Sequence, residues 1–371
     1  MNKIEGFDGL RAIAAISVVL THLHVFKTYQ DNGWIHESLI STINGDSGVQ
    51  AFFVLSGFLI TNLLLIEVAN NGKVSLYNFY VRRSLRIFPL YFLVVFLLFI
   101  FHITGEGVTN YKSLAFAGTY SYNFIPKVWY SGVLGHTWSL AVEEHFYLIW
   151  PFLFISFSLK LRKLSIVTFL FILLSFFAAI ILTNIDWLNA NFFIKRWTFI
   201  AGANIAMGAL LAMVLKDEFL GEKLSTFLQS KISIFVILII VFNQVFTSDL
   251  NYFISQYLRG IGFTLLIGWI YLNQSSKLTQ LLETQPLSYL GKVSYGIYMY
   301  QGFFLSTGPY RAHNQTWPPE QYLGIILLII TVPLSYHYFE KPIMKLKYKY
   351  QRPTAKEPNR PMQQTADTAA D

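Results

Sequence analysis

Apolar residues in this chain come in long blocks separated by short polar stretches. Blocks of about 17–25 residues, the length that carries a helix across a bilayer, recur from residue 8 to residue 340. They predict ten spanning helices, over 8–28, 48–69, 84–104, 138–159, 164–183, 195–215, 231–247, 253–272, 288–307 and 321–340. The expected fold class is therefore all-α: a polytopic transmembrane helix bundle. The interval 105–137 holds no clean span. It is aromatic and turn-rich ("FAGTYSYNFIPKVWYSG") and reads as a loop or re-entrant piece on one face. The first block is not a removable signal peptide, because it lacks a small-residue cleavage site and contains Arg11, His22 and His24. A membrane domain is expected over 1–345. Beyond it, 346–371 starts basic and continues "PTAKEPNRPMQQTADTAAD", which predicts a disordered tail.

Composition agrees with this pattern: 54% of residues are hydrophobic and only 13% charged. The net charge of +8 suggests nucleic acid until the charges are placed on the helices. Most of the 28 lysines and arginines then fall on one side: Lys3, "VRRSLR", "KLRK", Lys216, Lys223, Lys231, Lys277, Lys292 and the tail. The other side receives only Lys27, Lys112, Lys127, Lys195, Arg196 and Arg311. This asymmetry is the positive-inside pattern, so both termini are expected in the cytoplasm and no nucleic-acid partner is expected. There are no cysteines, which excludes disulfides, thiolate zinc sites, iron–sulfur clusters and cysteine nucleophiles. No metal site is expected. Walker, GxSxG, HExxH and dinucleotide patterns are all absent from the sequence.

Ionisable residues inside spans are the functional candidates, since lipid-facing charge is costly. Arg11 and His22 are eleven residues apart, about three turns, so they share a helix face about 16 Å apart along the axis. Arg11 lies near the inner end, where snorkelling competes with function. His22 lies in the outer half, and a neutral imidazole there can accept a proton from a hydroxyl. His24 and His36 lie further out and are weaker candidates. Glu143 and Glu144 sit about two turns into the fourth helix, roughly 8–10 Å below the outer surface and near the depth of His22. Two adjacent carboxylates cannot share one face. One can orient a histidine, while the competing reading is a structural glutamate bonded to Trp138 or Tyr147. Arg83 and Arg86 are three apart and share a face; with Arg82 they form a cluster suited to phosphates. The same cluster is what an inner helix end requires for topology. Ser56 and Gly57 read as a packing site. Tyr295, Tyr298 and Gln301 can line a polar interior, and Glu340 and Lys341 read as inner-interface anchors.

Several of these stretches, in order, resemble the acyltransferase-3 family of bacterial integral membrane acyltransferases that modify cell-surface carbohydrates. "FDGLRAIAAISVVLTHL" is similar to its first-helix signature of arginine, ten residues and histidine, carried here by Arg11 and His22. "GVQAFFVLSGFLIT" resembles its second-helix motif, and "RRSLRIFPLY" its paired arginines, here Arg83 and Arg86. "HTWSLAVEEHFYLIWP" is similar to its tryptophan–serine–leucine–glutamate–tyrosine signature. The spacing of that signature from Ser139 favours Glu143 over Glu144 as its glutamate. "KRWTFIAGANIAMGALLA", "VSYGIYMYQ" and "FEKP" resemble weaker later motifs, and the likeness covers about residues 4–345. Two positions depart: Gln50 stands where members often have an acid, and Gln301 where many have histidine.

The resemblance implies transfer of an acyl group, commonly acetyl, from cytoplasmic acyl-CoA to a hydroxyl of an extracytoplasmic polysaccharide or lipid-linked glycan, at a bacterial inner membrane. No permanently bound cofactor is implied; acetyl-CoA or another acyl-CoA is the donor substrate. On that reading Arg83, Arg86 and Arg11 hold the coenzyme phosphates. His22 deprotonates the sugar hydroxyl and Glu143 orients it, with Glu144, Trp138, Ser139 and Tyr147 in support. Because the sequence stops after the tenth expected helix, it is expected to lack the extra helix and fused hydrolase-like domain of some members. A transporter or flippase for a lipid-linked sugar or small metabolite would use a similar bundle, as would a polysaccharide-assembly subunit without chemistry of its own.

Overall fold

The computed structural model describes residues 3–23, 25, 31, 37–104, 109–157, 160–246, 252–305 and 321–350. His24, His36, Lys27, Arg311 and the expected disordered tail from 351 onward lie outside these residues. The described chain is helical and contains no strand, only an isolated bridge between Pro126 and Phe192. The principal helices are α1 (Phe7–His22), α2 (Gly45–Asn71), α3 (Leu76–Ile103), α4 (Thr137–Ser156), α5 (Leu161–Thr183), α6 (Thr198–Val214), α7 (Glu218–Gln229), α8 (Ser233–Val241), α9 (Tyr252–Leu272), α10 (Gln285–Phe304) and α11 (Gln321–Ser335). Asn44 caps α2 by accepting from the backbone N–H of Ser47 at 3.1 Å, and Gly72 ends it in the left-handed region with φ 68°.

Six helices among the described residues are long and apolar enough to cross a membrane, and seven if α7 and α8, bent by 92° to one another, count as one span. The straight helix expected over 231–247 is broken at Phe242: α8 ends at Val241 and a separate short helix, Asn243–Phe246, follows, while the bend lies before it, after the amphipathic α7. The other expected spans are present as α1, α4 and α10, which fall short in length or apolar content. These three carry Arg11 and His22, Glu143 and Glu144, and Tyr295, Tyr298 and Gln301. For α1 the shortfall is its 16-residue length, while α4 and α10, each 20 residues long, fall short in apolar content.

With lipid as solvent, helices associate by close packing of small residues rather than by exclusion from water. The centre of the bundle follows this rule. At the crossing of α2 and α6, a Cβ on Gly57 would lie 1.8 Å from the Ile205 carbonyl oxygen, and one on Gly208 would lie 1.9 Å from that of Val54. Helix α1 is held between α2 and α10 in the same manner: Gly48 abuts the Ala14 carbonyl, and Gly291 abuts that of Asp8. Helices α3, α5 and α11 form the periphery and keep most of their surface outward. The interval expected as a loop forms a short helix, Tyr111–Gly118, and three 3-10 turns. Its Tyr122, Ile125 and Leu134 are buried in the main core, so it packs as part of the bundle.

The ends of the helices define two faces. On the basic face, Lys3 pairs with Asp8 at 3.1 Å and with Glu283, Arg82 pairs with Glu67 at 3.2 Å, and the Leu346–Tyr350 turn lies nearby. Arg82 is thus engaged away from Arg83 and Arg86, and the expected cluster of three separates into a pair and an outlier. The opposite face carries the Pro126–Phe192 bridge and the Asn123–Thr198 hydrogen bond of 2.9 Å.

Candidate active site

A cavity of about 240 Å³ opens between α1, α2, α3, α4 and α10. Its walls include Arg11, Ser56, Arg83, Arg86, Glu143 and Tyr147. Residues singled out on four separate sequence stretches therefore meet in one space. Arg11 sits one turn after Asp8 and donates to its carboxylate at 2.9 Å. Arg83 lies with its guanidinium 4.0 Å from the centroid of the Tyr147 ring, and its Nε is buried without a hydrogen-bond partner. Arg86, one turn further along α3, is exposed at the mouth. Among the described residues neither Arg83 nor Arg86 makes an ion pair.

Glu143 is the carboxylate of this cavity. Its Oε1 accepts from the Ser56 hydroxyl at 2.8 Å and its Oε2 from the Tyr147 hydroxyl at 3.1 Å. Tyr147 is four residues on, so one helix face presents both groups. Ser56 reaches the carboxylate while Gly57, the next residue, packs on α6. The expected packing site thus serves packing and hydrogen bonding at once. Glu144 points elsewhere: its Oε1 is buried without a hydrogen bond, within electrostatic reach of Tyr91, Tyr120 and Tyr295. Periodicity left this pair open, and the fold separates it.

Above Glu143 on α4, the Ser139 and Tyr298 hydroxyls lie 2.5 Å apart, and Tyr298 also donates to the His136 carbonyl at 3.1 Å. Ser139, Tyr295 and Tyr298 all line the arginine cavity. His136, just before α4, is buried, and its ring packs against Gly302 of α10, where a Cβ would fall 2.1 Å from Nδ1. His22 is within electrostatic reach of His136. Neither histidine lines the arginine cavity; His136 is tied to it through the Tyr298 hydroxyl. His136 and Glu143 are seven residues apart, about 10 Å along a helix.

This placement departs from the expected pairing of His22 with Glu143. The described walls of the Glu143 cavity do not include His22, and the Glu143 oxygens are engaged by Ser56 and Tyr147. The expectation also set the arginines at the far side of the membrane from the glutamate, whereas they share its cavity. The cause is geometric: α3 brings Arg83 and Arg86 more than a turn inside its start at Leu76. Trp138 does not bond a glutamate. It lines a second cavity, with its ring 5.8 Å from that of Phe53.

Gln50 and Gln301 find different uses. Gln50 accepts from the Arg259 Nε at 2.7 Å and donates to the Gln256 side chain at 2.6 Å, lodging that arginine inside the bundle. Gln301 is fully buried, and neither side-chain atom has a hydrogen-bond partner. Glu340 is not an interface anchor. It is buried in a π-helical turn, Tyr336–Glu340, beside Gly296, and accepts from Ser335 at 3.2 Å.

The structure is thus a helix bundle with several membrane-length apolar helices and an interior cavity lined by three arginines and one carboxylate. The family can be stated. The model of the acyltransferase-3 family, described as an acyltransferase domain, matches residues 4–338, and the chain belongs to that family. Among curated relatives, the O-acetyltransferase OatA of Staphylococcus aureus (strain NCTC 8325 / PS 47) is 28% identical over 375 residues, covering 93% of this chain and 58% of its own length. The protein named "Putative peptidoglycan O-acetyltransferase YrhL" of Bacillus subtilis (strain 168) is 30% identical over 367 residues, covering 92% of this chain and 55% of its own. The chain therefore spans a little over half the length of these relatives. No solved structure matches it.

Proposed function

We propose that the chain is a membrane O-acyltransferase that moves an acetyl group from acetyl-CoA to a hydroxyl of a cell-envelope glycan. The observation that carries this is the placement of Arg83 and Arg86, two guanidiniums without ion pairs, in one cavity with Arg11. Unpaired guanidiniums, one inside the cavity and one at its mouth, recognise phosphates bidentately. On this reading the basic face is cytoplasmic, as are both termini, and α1, α4 and α10 complete ten crossings. The membrane is the bacterial inner membrane.

The coenzyme phosphates rest against Arg83 and Arg86 at the mouth, and the pantetheine arm rises past Ser139 and Tyr298. His22, beside His136, takes the proton of the sugar hydroxyl. The oxygen attacks the thioester carbonyl, the carbon–sulfur bond breaks, and the thiolate leaves and is protonated. Glu143 acts as a positioning residue, holding Tyr147 under Arg83 and offsetting part of the arginine charge. The peptidoglycan and O-acetyl transfer in the names of the relatives support a glycan acceptor and an acetyl donor group.

The test is transfer of radiolabelled acetate from acetyl-CoA to glycan by the purified protein in nanodiscs. The Arg83→Ala, Arg86→Ala double variant is expected to raise KM for acetyl-CoA at least tenfold, and His22→Ala to abolish transfer while leaving acetyl-CoA binding intact. Wild-type transfer by His22→Ala removes the base. An unchanged KM in the double variant removes the donor site. Intact acetyl-CoA after prolonged incubation of wild type with glycan indicates a carrier and overturns the enzyme reading.

A further inference from the structure

A second cavity, of about 410 Å³, lies at the face opposite the basic one. Val49 and Phe53 of α2 line both cavities, so one side-chain wall separates them. The outer cavity is cationic: Lys127, Lys195 and Arg196 line it against a single carboxylate, Asp46. None of the three cations makes an ion pair among the described residues. Lys127 is spent on the carbonyl of Asn189. Lys195 has its ammonium 3.5 Å from the Tyr252 ring centroid, and Arg196 has its guanidinium 4.3 Å from that of Phe193 and 5.6 Å from that of Trp138. The Arg196 Nη1 is buried and has no hydrogen-bond partner. Cations held against flat aromatic faces, with amide side chains from Asn204 and Gln256 nearby, suit a sugar ring that carries an anionic group.

A third space, about 420 Å³, abuts the second across a side chain. Tyr257 of α9 lines both. Its hydroxyl bonds Ser175 at 2.7 Å, and beyond it the walls turn to hydrocarbon, with Phe169, Leu173 and Ile261 all partly outward-facing. The crevice runs between α5, α6 and α9 on the side where α5 keeps most of its surface outward. An apolar crevice lying beside a cationic, aromatic cavity, with Tyr257 between them, matches the two ends of an amphiphile.

We propose that the two outer spaces form one acceptor site, for an anionic saccharide carried on a hydrocarbon tail. The charged sugar sits against Lys195 and Arg196, the tail lies in the crevice below Tyr257, and the reactive hydroxyl faces the wall of Val49 and Phe53. The inference rests on the acyl-transfer reading for its purpose, but not for its binding chemistry.

The experiment measures binding to the full chain in nanodiscs, with glucuronosyl diacylglycerol as the anionic probe and glucosyl diacylglycerol as its neutral counterpart. Wild type is expected to bind the anionic probe at least tenfold more tightly. Arg196→Gln and Lys195→Gln, singly, are each expected to reduce that preference at least threefold. Equal affinity for the two probes in wild type, or failure to bind either, overturns the site. The tail is tested by Leu173→Trp, which fills the crevice, against Leu174→Trp, whose exposed neighbouring side chain does not line it. Only Leu173→Trp is expected to weaken the anionic probe, by about tenfold. An equal effect of the two overturns the tail and leaves a finished polymer as the acceptor. Acetyl-CoA binding in the same preparation separates the two readings. If acetyl-CoA binds without probe preference, this inference alone fails; if probe preference is present without acetyl-CoA binding, the acyl-transfer reading fails and the site stands.

Discussion

Replacing Gly57 by alanine adds one carbon at the crossing of α2 and α6. The structure places that carbon 1.8 Å from the Ile205 carbonyl oxygen, 2.7 Å from its carbonyl carbon and 3.0 Å from the Ala209 nitrogen. Non-bonded atoms prefer roughly 3.5–4.0 Å. The obstruction is backbone, which cannot rotate away, so the helices must separate by about 1.5 Å to reach a tolerable contact. Overpacking a core costs typically 1–3 kcal/mol, and a backbone clash belongs at the upper end, about 3 kcal/mol. The reciprocal change, Gly208→Ala, meets Val54 and Phe58 in the same way and should cost about as much. Gly202, also buried in α6, has nothing within 4 Å of an added carbon, so Gly202→Ala serves as the control. Thermal unfolding of the purified protein, followed by tryptophan fluorescence, should show a Tm lower by about 5 °C or more for Gly57→Ala and Gly208→Ala, with Gly202→Ala at the wild-type value. If Gly57→Ala unfolds together with Gly202→Ala, the close crossing is not what holds the two helices.

Arg83→Lys keeps the charge but loses the planar fork stacked on Tyr147, and KM for acetyl-CoA should rise about tenfold, or about 1.4 kcal/mol. Glu143→Gln keeps the size of the side chain but removes the charge that Ser56 and Tyr147 hold in place; kcat for transfer should fall at least tenfold while KM for acetyl-CoA does not rise. On the basic face, burial pushes the Glu283 carboxyl up, but hydrogen bonds from Lys3, the Gly6 N–H and Ser288 outweigh it and hold it below the usual range. Its contribution is therefore present above the unfolded carboxylate value of about 4.3 and is lost as pH falls through the lower folded value. The stability gap between wild type and Glu283→Gln should be constant from pH 6 to 8 and close as pH falls to about 3, read by thermal unfolding.

The helical class and most helix positions were legible because lipid imposes a simple length and polarity rule. The rule fails where a block is interrupted, as at Phe242 between α8 and Asn243–Phe246, since hydropathy carries no direction. In the site, residue choice was more legible than pairing. Arg11, Arg83, Arg86, Glu143, Ser139 and Tyr147 were all visible as polar groups in apolar surroundings, and the fold brings them into one cavity. Their depths were estimated from helix starts, however, and α3 begins far enough outside the site that Arg83 and Arg86 reach Glu143. Ser56 read as packing because serine is small; its hydrogen bond depends on α4, which adjacency along the chain cannot show. His136 was passed over because it precedes its helix, and only the bare Gly302 opposite, itself unremarkable in sequence, gives the ring its place. The outer cavity draws its cations from the Lys127–Trp129 turn and the Ile194–Arg196 turn, 67 residues apart at Lys127 and Ile194 if counted along the chain, and nothing local links them.

The helices that carry the site are also those least able to enter a bilayer alone. Helix α1 has 16 residues with Arg11 and His22 in it, and α4 and α10 are interrupted by carboxylates, hydroxyls and an amide. A charged or strongly polar side chain facing lipid is costly, so a segment of that kind gains from a neighbour that covers its polar face. Helix α2, 27 residues long and abutting α1 through Gly48, is the neighbour made next. Biogenesis and chemistry therefore make opposite demands on the same side chains. A glycine lost from the α2 seam reduces how much protein reaches the membrane. A polar group lost from α1 should ease its entry and raise the amount of protein in the membrane.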